Sequence, residues 1–226
     1  TIPAVDGNSI VTTIDANIQA IVEKYIKKFN DEYKDNYTER NGSNNTACII
    51  MKVNTGEILA MASYPDFDLN DRMNPENLYG MPMVNDVGNV IAGEYITPSS
   101  FNELSHDLQM QQFNALWRNY CINDTYEPGS VVKPFTVAAA LDSGKITGNE
   151  YFNCNGYRDI GGFEISCHNE WGDGEVSVQK AVEISCNVAL MDIAAMMGKD
   201  TFVDYQHIFN FGLKTNIDLW GESRTA

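Results

Sequence analysis

The sequence of 226 residues carries 15 Lys and Arg against 31 Asp and Glu, a formal charge of −16, which repels phosphate backbones and anionic membrane surfaces and excludes nucleic acid as a partner. An apolar share of 43% with 11 Tyr, 10 Phe and 3 Trp supplies enough core material for one sizeable folded domain. No apolar run reaches the roughly 18 residues of a membrane span, and the first residues lack a signal-peptide pattern; no membrane span is expected in this chain, and any anchor lies outside it. The start at Thr1 and the stop at Ala226, just after a turn-like Trp220-Gly221-Glu222, point to a piece of a longer protein.

In chain order, Ile10 to Thr13 reads as extended. Asp15 then caps a helix whose apolar positions Ile18, Ile21, Val22, Tyr25, Ile26, Phe29 and Tyr33 follow the 3.6 period and predict one buried face. Asn36 to Asn45 is polar and turn-rich. Ala47 to Val53 and Glu57 to Ser63, joined by Asn54-Thr55-Gly56, read as a β-hairpin apolar on both faces, which predicts covering layers on either side and leaves an unpaired edge. Pro65 to Asn114 shows no sustained period and predicts loops with short helical pieces. Four helices follow: Ser130 to Leu141 closed by Gly144, Ser177 to Ile184, Asn187 to Met197 closed by Gly198, and Thr201 to Phe209 before Gly212. The pattern predicts an α+β fold with helices packed around an antiparallel sheet, of which only the two hairpin strands are evident.

Five Cys, at 48, 121, 154, 167 and 186, are too scattered for a disulfide scaffold, and no Cys-x-x-Cys occurs. Cys167-His168 imitates half a metal site, but no second closely spaced pair accompanies it, so neither a metal nor a cofactor is expected. Cys154 and Cys167 flank a Gly-rich, hairpin-like stretch from Gly156 to Gly162; they either pair in an oxidising compartment or remain two buried thiols.

Ser130 and Lys133 are the first candidates for chemistry. A serine hydroxyl is a weak nucleophile, and a lysine three residues later on a helix shares its face, where a desolvated neutral amine accepts the proton. The spacing is cheap, since about one such pair is expected by chance in a chain this long, and Ser177 with Lys180 is a second. Ser177 follows Gly174-Glu175-Val176 and opens an apolar-periodic run, so its hydroxyl is best used as a helix cap. Ser130 instead follows the tight turn Tyr126-Glu127-Pro128-Gly129, which presents it at a helix start where developing negative charge is favoured.

Several segments together carry a resemblance. Tyr126-Glu127-Pro128-Gly129-Ser130-Val131-Val132-Lys133-Pro134-Phe135-Thr136, preceded by Ala115-Leu116-Trp117-Arg118-Asn119, resembles the first active-site motif of class B penicillin-binding proteins. Ser185-Cys186-Asn187, between two helices, resembles the second. Thr13-Ile14-Asp15 with Ile18-Gln19, the run Thr55 to Ser63, Tyr64-Pro65-Asp66-Phe67-Asp68 and Phe211 to Leu219 match in family order. The resemblance implies a β-lactamase/transpeptidase-like fold and a serine D,D-transpeptidase, acting on peptidoglycan stem peptides and trapped by β-lactams. Its implied roles are Ser130 as nucleophile, Lys133 as base, Ser185 as proton relay, and Asn187 as the group that holds Lys133 and the substrate amide. It further implies an extracytoplasmic, cell-envelope location with a membrane-anchored parent.

The third family motif, Lys-Thr-Gly or Lys-Ser-Gly, does not occur. Lys214-Thr215-Asn216 matches a different family segment and is rejected as a substitute. Residues 1–226 are therefore expected to be one transpeptidase domain truncated before that motif, with an incomplete sheet, a carboxy-terminal half as its missing partner, and little activity alone. The competing readings are a β-lactamase or D,D-carboxypeptidase and a non-catalytic β-lactam sensor or cell-wall scaffold. A Ser-His-Asp hydrolase is disfavoured because no Gly-x-Ser-x-Gly occurs.

Overall fold

The computed structural model describes residues 7–34, 43 and 45–222. They fall into two compact units divided after Asp124, the first with two apolar cores and the second with one. Most of the turn-rich Asn36 to Asn45 segment lies outside the described residues.

In the first unit, α1 (Ala16–Tyr33) starts as expected. Asp15 Oδ1 accepts the backbone N–H of Asn17 (2.9 Å) and of Ile18 (3.1 Å), meeting two donors that a helix start leaves open. Val22 and Ile26 are buried, with Ile18 packed beside them, against Ala60 and Ala62 of β2 (Ile58–Tyr64) and Cys48 of β1 (Thr46–Met51). The broader stripe does not form, and Ile21, Tyr25 and Phe29 stay exposed. Two strands about 4.8 Å apart are narrower than a helix about 10 Å across, so they cover one row of its side chains.

The hairpin itself is present, antiparallel in the register Cys48↔Ala62 with a bulge between Ile50 and Met51. Two expectations about it need correction. Covering layers do not enclose β1, whose Ile49, Ile50 and Met51 are exposed. The outer side of β2, in contrast, is not left open. Gln19 Oε1 accepts Met61 N–H (2.9 Å) while its Nε2 donates to Met61 O (3.0 Å), Asp15 N–H donates to Leu59 O (2.9 Å), and Thr13 Oγ1 donates to Ile58 O (2.6 Å). Residues 13–19 thus supply hydrogen bonds that a third strand would make.

The stretch from Pro65 to Asn114 is more ordered than its composition suggests. After two 3₁₀ turns (Leu69–Asp71 and Pro75–Leu78) come the paired β3 (Pro82–Val84) and β4 (Val90–Tyr95), then α2 (Pro98–Glu103) and α3 (His106–Leu116). Leu78, Met83, Ile96, Phe101, Phe113 and Leu116 form its core. Gln112, only 1% exposed, accepts Val84 N–H and donates to Val84 O, both at 2.8 Å, so burial of its amide leaves no polar atom unpaired. The short α4 (Tyr120–Asn123) ends the unit, with Cys121 Sγ donating to Ala62 O.

The second unit opens with a 3₁₀ turn (Gly129–Val132) running into α5 (Lys133–Asp142), so the α-helix begins three residues later than Ser130. Next come β5 (Tyr151–Cys154), β6 (Tyr157–Ile160), β7 (Phe163–Ser166), β8 (Gly174–Ser177), α6 (Val178–Glu183), α7 (Asn187–Met197) and α8 (Lys199–Ile208). The helices match expectation to within two residues, apart from that start. Ser177 is the cap it was read as, its Oγ accepting Lys180 N–H at 3.1 Å. The four strands were not foreseen as strands. β5 pairs antiparallel with β8, and the β6–β7 hairpin between them is fastened to α7 by Arg158, which donates Nε and Nη2 to the two carboxylate oxygens of Asp192 (3.1 and 2.8 Å).

α7 is the centre of this unit: Val188, Ala189, Leu190, Ile193 and Met197 are buried against Val137 and Ala140 of α5, Phe152 of β5 and Val176 of β8. The loop from β7 to β8 closes on β5 so tightly that a Cβ on Gly172 would lie 2.3 Å from Cys154 O, and one on Gly156 2.0 Å from Glu170 O. Both sites exclude any side chain. Among the described residues the fold is α+β with four two-stranded antiparallel pairs, and no helix is long and apolar enough to cross a membrane.

Candidate active site

One cavity of about 610 Å3 in the second unit is lined by Ser130, Lys133, Ser166, Cys167, His168, Glu183, Ile184, Ser185 and Asn187. All four residues singled out from the sequence stand in it, although 57 positions separate Ser130 from Asn187 in the chain.

Ser130 is brought there by its turn. Gly129 has φ +59, a left-handed value that a Cβ disfavours, and it reverses the chain so that Ser130 enters the 3₁₀ turn. Lys133 N–H closes that turn on Ser130 O. With three residues per turn, side chains at i and i+3 eclipse, so Ser130 and Lys133 share a face more directly than on an α-helix. Ser130 itself is exposed to the cavity.

Lys133 is half-buried, and its Nζ has three oxygen partners: Ser185 O at 2.6 Å, Ser185 Oγ at 2.8 Å and Asn187 Oδ1 at 2.5 Å. Burial pushes its pKa below the ordinary lysine value, and the thiols of Cys167 and Cys186 oppose that shift. As an ammonium, Nζ donates to all three. As a neutral amine it keeps two N–H groups for Ser185 O and Asn187 Oδ1, which only accept, and has one lone pair left for the proton of a neighbouring hydroxyl. The partner set therefore serves both protonation states.

The two groups that hold Lys133 come from the turn between α6 and α7. Ser185 N–H donates to Val182 O (3.1 Å) and Cys186 N–H to Ala181 O (2.8 Å), the bond pair of a Schellman helix ending. The position past the cap in such an ending is left-handed and usually glycine, yet here it is Ser185, at φ +55. That twist aims both the carbonyl and the hydroxyl of Ser185 at Lys133. Asn187, first residue of α7, is used at both ends: Oδ1 accepts from Lys133 while Nδ2 donates to Ser166 O of β7 at 2.7 Å, which fixes the orientation of its amide.

Between them Cys186 turns inward, 1% exposed. Its Sγ caps α7 by accepting Ala189 N–H (3.4 Å), and Cys167 Sγ accepts Val188 N–H (3.3 Å). Burial pushes the Cys186 thiol up to about 12, so it is no nucleophile at neutral pH, in keeping with its reading as a packed residue. Cys154 and Cys167 are free thiols with their sulfurs 3.6 Å apart.

Lys180, in contrast, lies outside the cavity and pairs with Glu183 in solvent at 3.3 Å. Lys214 and Thr215 do not line it either; Glu222 takes the backbone and hydroxyl protons of Thr215, both at 2.6 Å, and holds that loop elsewhere in the unit. Sequence reasoning missed Ser166, His168 and Glu183 as lining residues. Ser166 enters through its backbone carbonyl, which no residue-type pattern reveals.

The sequence pattern described as the penicillin binding protein transpeptidase domain matches residues 46–225. Stage V sporulation protein D of Bacillus subtilis is 28% identical over 221 residues, covering 97% of this chain and 27% of that protein. Peptidoglycan D,D-transpeptidase FtsI of Escherichia coli is 30% identical over 182 residues, 80% of this chain and 24% of the relative. The chain spans about a quarter of the length of these curated relatives. Among solved structures, Pseudomonas aeruginosa PBP2 in complex with WCK 5153 superposes with a TM-score of 0.65 and 26% identity, over 95% of this chain and 40% of that one. A peptidoglycan glycosyltransferase from Burkholderia ambifaria shares the fold at the same TM-score and 22% identity, over 95% and 49% of the two chains. On the family match over residues 46–225, the chain belongs to the penicillin-binding protein transpeptidase domain family.

Proposed function

We propose that this chain carries the acylating centre of a serine-type peptidoglycan D,D-transpeptidase. The observation that carries the reading is Lys133: its amine is half-buried, held by Ser185 and Asn187, and shares a cavity with Ser130 one 3₁₀ turn away. A lysine placed and desolvated in this way is suited to take a proton from a neighbouring hydroxyl.

In the reaction, Ser130 Oγ attacks the carbonyl of the penultimate D-alanine of a stem peptide, and its proton passes to Lys133 Nζ. Ser185 Oγ, hydrogen-bonded to that amine, relays a proton to the departing D-alanine nitrogen as the peptide bond breaks. Asn187 keeps Lys133 in place and presents its amide to the substrate. Part of the oxyanion hole is the backbone N–H of Ser130. An amine from a neighbouring stem then displaces Ser130 and forms the cross-link; a β-lactam acylates the same oxygen. The name of the Escherichia coli relative supports this substrate class, and on this reading the protein works in the cell envelope, outside the cytoplasm, with a parent anchored to the membrane. The reading needs a strand donor of the Lys-Thr-Gly or Lys-Ser-Gly kind, which the 226 residues do not contain, and assigns it to a further part of the protein, without which acylation is slow.

The test is peptide mapping by mass after exposure of the whole protein to a fluorescent penicillin. The adduct is expected on Ser130 and lost in Ser130→Ala, whereas Ser177→Ala keeps it. An adduct that survives Ser130→Ala overturns the assignment. Rapid release of hydrolysed penicillin points instead to a β-lactamase, and a permanent adduct without peptide turnover to a sensor.

A further inference from the structure

We propose that Arg158, which does not line the cavity, is a positioning residue: paired with Asp192, it holds β7 where the strand orients the Asn187 amide toward Lys133 and the substrate. This role rests on the acylating centre proposed for Ser130 and Lys133.

The amide of Asn187 needs an outside reference. Its two ends have nearly the same shape and opposite hydrogen-bonding sense. Lys133 alone does not choose between them, because a neutral amine both donates and accepts and so tolerates either end. Ser166 O does choose, since a carbonyl only accepts: Nδ2 donates to it at 2.7 Å, which leaves Oδ1 for Lys133 Nζ and the second N–H of Nδ2 for a carbonyl of the substrate. With the amide turned over, Oδ1 would face Ser166 O acceptor to acceptor. Whatever places Ser166 O therefore sets the amide.

Ser166 ends β7, whose one strand partner is β6, and a two-stranded hairpin is marginal by itself. Burial does not hold this one. In the two four-residue strands every residue is exposed except Arg158. Arg158 stands across the ladder from Ile165, one position from the Tyr157↔Ser166 pair. Its guanidinium gives Nε and Nη2 to the two oxygens of Asp192 on α7 (3.1 and 2.8 Å), Nη1 to Asn155 Oδ1, and Nη2 also to Asn153 O of β5 (3.2 Å). The hairpin thus meets α7 twice, at Asn187 through Ser166 O and farther along the helix at Asp192. A surface ion pair contributes little. This pair is a planar two-point fork with both side chains about 30% exposed and further bonds to the strand on its other side, so it restricts rotation as well as distance.

The experiment compares acylation of the whole protein by benzylpenicillin, whose side-chain carbonyl is an acceptor for Asn187 Nδ2, with acylation by 6-aminopenicillanic acid, the same β-lactam without that carbonyl. In Arg158→Ala the benzylpenicillin rate should fall about tenfold or more and the other rate about threefold or less, so that their ratio drops. Asp192→Asn keeps the volume and removes the charge and one acceptor; it should move the ratio the same way by a smaller factor. The double variant should be no worse than Arg158→Ala alone, as for two residues acting as one unit. Arg158→Lys should recover only part of the ratio, since one ammonium does not span the fork.

A merely structural tie would lower the thermal midpoint and both rates together. An unmoved ratio in Arg158→Ala, or additive losses in the double variant, overturns the positioning role. Should Arg158→Ala not fold, the ratio in Asp192→Asn decides in its place. If neither compound acylates the unaltered protein, the acylation reading fails and this role with it; acylation of the unaltered protein with an unmoved ratio in the variants removes the role of Arg158 alone.

Discussion

Ser185 offers a perturbation whose backbone and chemical effects can be separated by comparing two variants. It occupies the left-handed position of the α6 ending at φ +55, a conformation that costs an L-residue about 1–2 kcal/mol. Ser185→Gly removes that strain but loosens the unfolded chain by about 0.4–1 kcal/mol. Ser185→Ala keeps the strain. Both delete the hydroxyl that meets Lys133 Nζ at 2.8 Å and both keep the carbonyl that meets it at 2.6 Å, so the lost hydrogen bond cancels in the comparison. The glycine variant should therefore be more stable than the alanine variant by about 0.5–1 kcal/mol, read as a shift in urea midpoint at constant slope. Acylation by penicillin should fall in both, by about a hundredfold or more if Ser185 relays the proton. Equal stability of the two variants would refute the left-handed turn, and unimpaired acylation in both would refute the relay.

Lys133→Ala should cut acylation about a hundredfold or more while leaving circular dichroism unchanged, because a base is lost from a half-buried site. In the unaltered protein the pKa of Lys133 is pushed below its ordinary 10.5, so if its neutral form is the base, acylation should rise with pH and level off before that value. Cys167, Cys186, His168 and Glu183 share its surroundings, so the profile should be repeated in His168→Gln, and a pH-independent rate would remove Lys133 as the base. Gly172→Ala should destabilise by about 3 kcal/mol, at the upper end for a point change, since its Cβ would meet Cys154 O at 2.3 Å; Gly161→Ala, with φ +63 and open space, should cost only about 1 kcal/mol. Chemical denaturation of the pair checks the difference. Gln19→Ala should cost about 1 kcal/mol or more by stripping Met61 N–H and O of their partners. It should also promote self-association through β2, so a sedimentation profile that stays monomeric would show that the edge is protected by other means.

The parts of the fold that the sequence disclosed are those whose apolar residues run through a whole element, buried or not. α7 has apolar residues throughout, and its limits, Asn187 and Gly198, were read without error. The β1–β2 hairpin was likewise evident from two apolar runs and a Gly56 turn. α3 was missed because His106 to Gln112 is mostly polar and its burial rests on Phe113, Leu116 and an amide that bonds to Val84. β5 and β8 are four residues each and pair across 19 intervening positions, so neither length nor a local turn announces them. The β3–β4 hairpin did leave a signal, Asn85-Asp86-Val87-Gly88 between apolar residues, which the Pro and Met content of its neighbourhood obscured.

For the candidate site, resemblance picked out four residues that the structure sets around one cavity, while spacing alone left a tie between Ser130 with Lys133 and Ser177 with Lys180. The structure separates the pairs by what each serine does: Ser177 spends its hydroxyl on a helix cap, and Ser130 leaves its own free at the cavity wall. What no pattern announced is the division of labour in Ser185-Cys186-Asn187. Glycine at the first position would close α6 at lower cost, and alanine at the second would fill the core, so stability alone does not account for this tripeptide. With Ser185 left-handed, successive side chains point to the cavity, the core and the cavity again. Two then hold one lysine, and the third meets the distant Cys167 and the first turn of α7. A change at Cys186 should for that reason reach Lys133 through the backbone on either side of it, even though the thiol itself faces away. Cys186→Ala should slow acylation more than Cys48→Ala, and equal rates in the two variants would show the turn to be rigid without its sulfur.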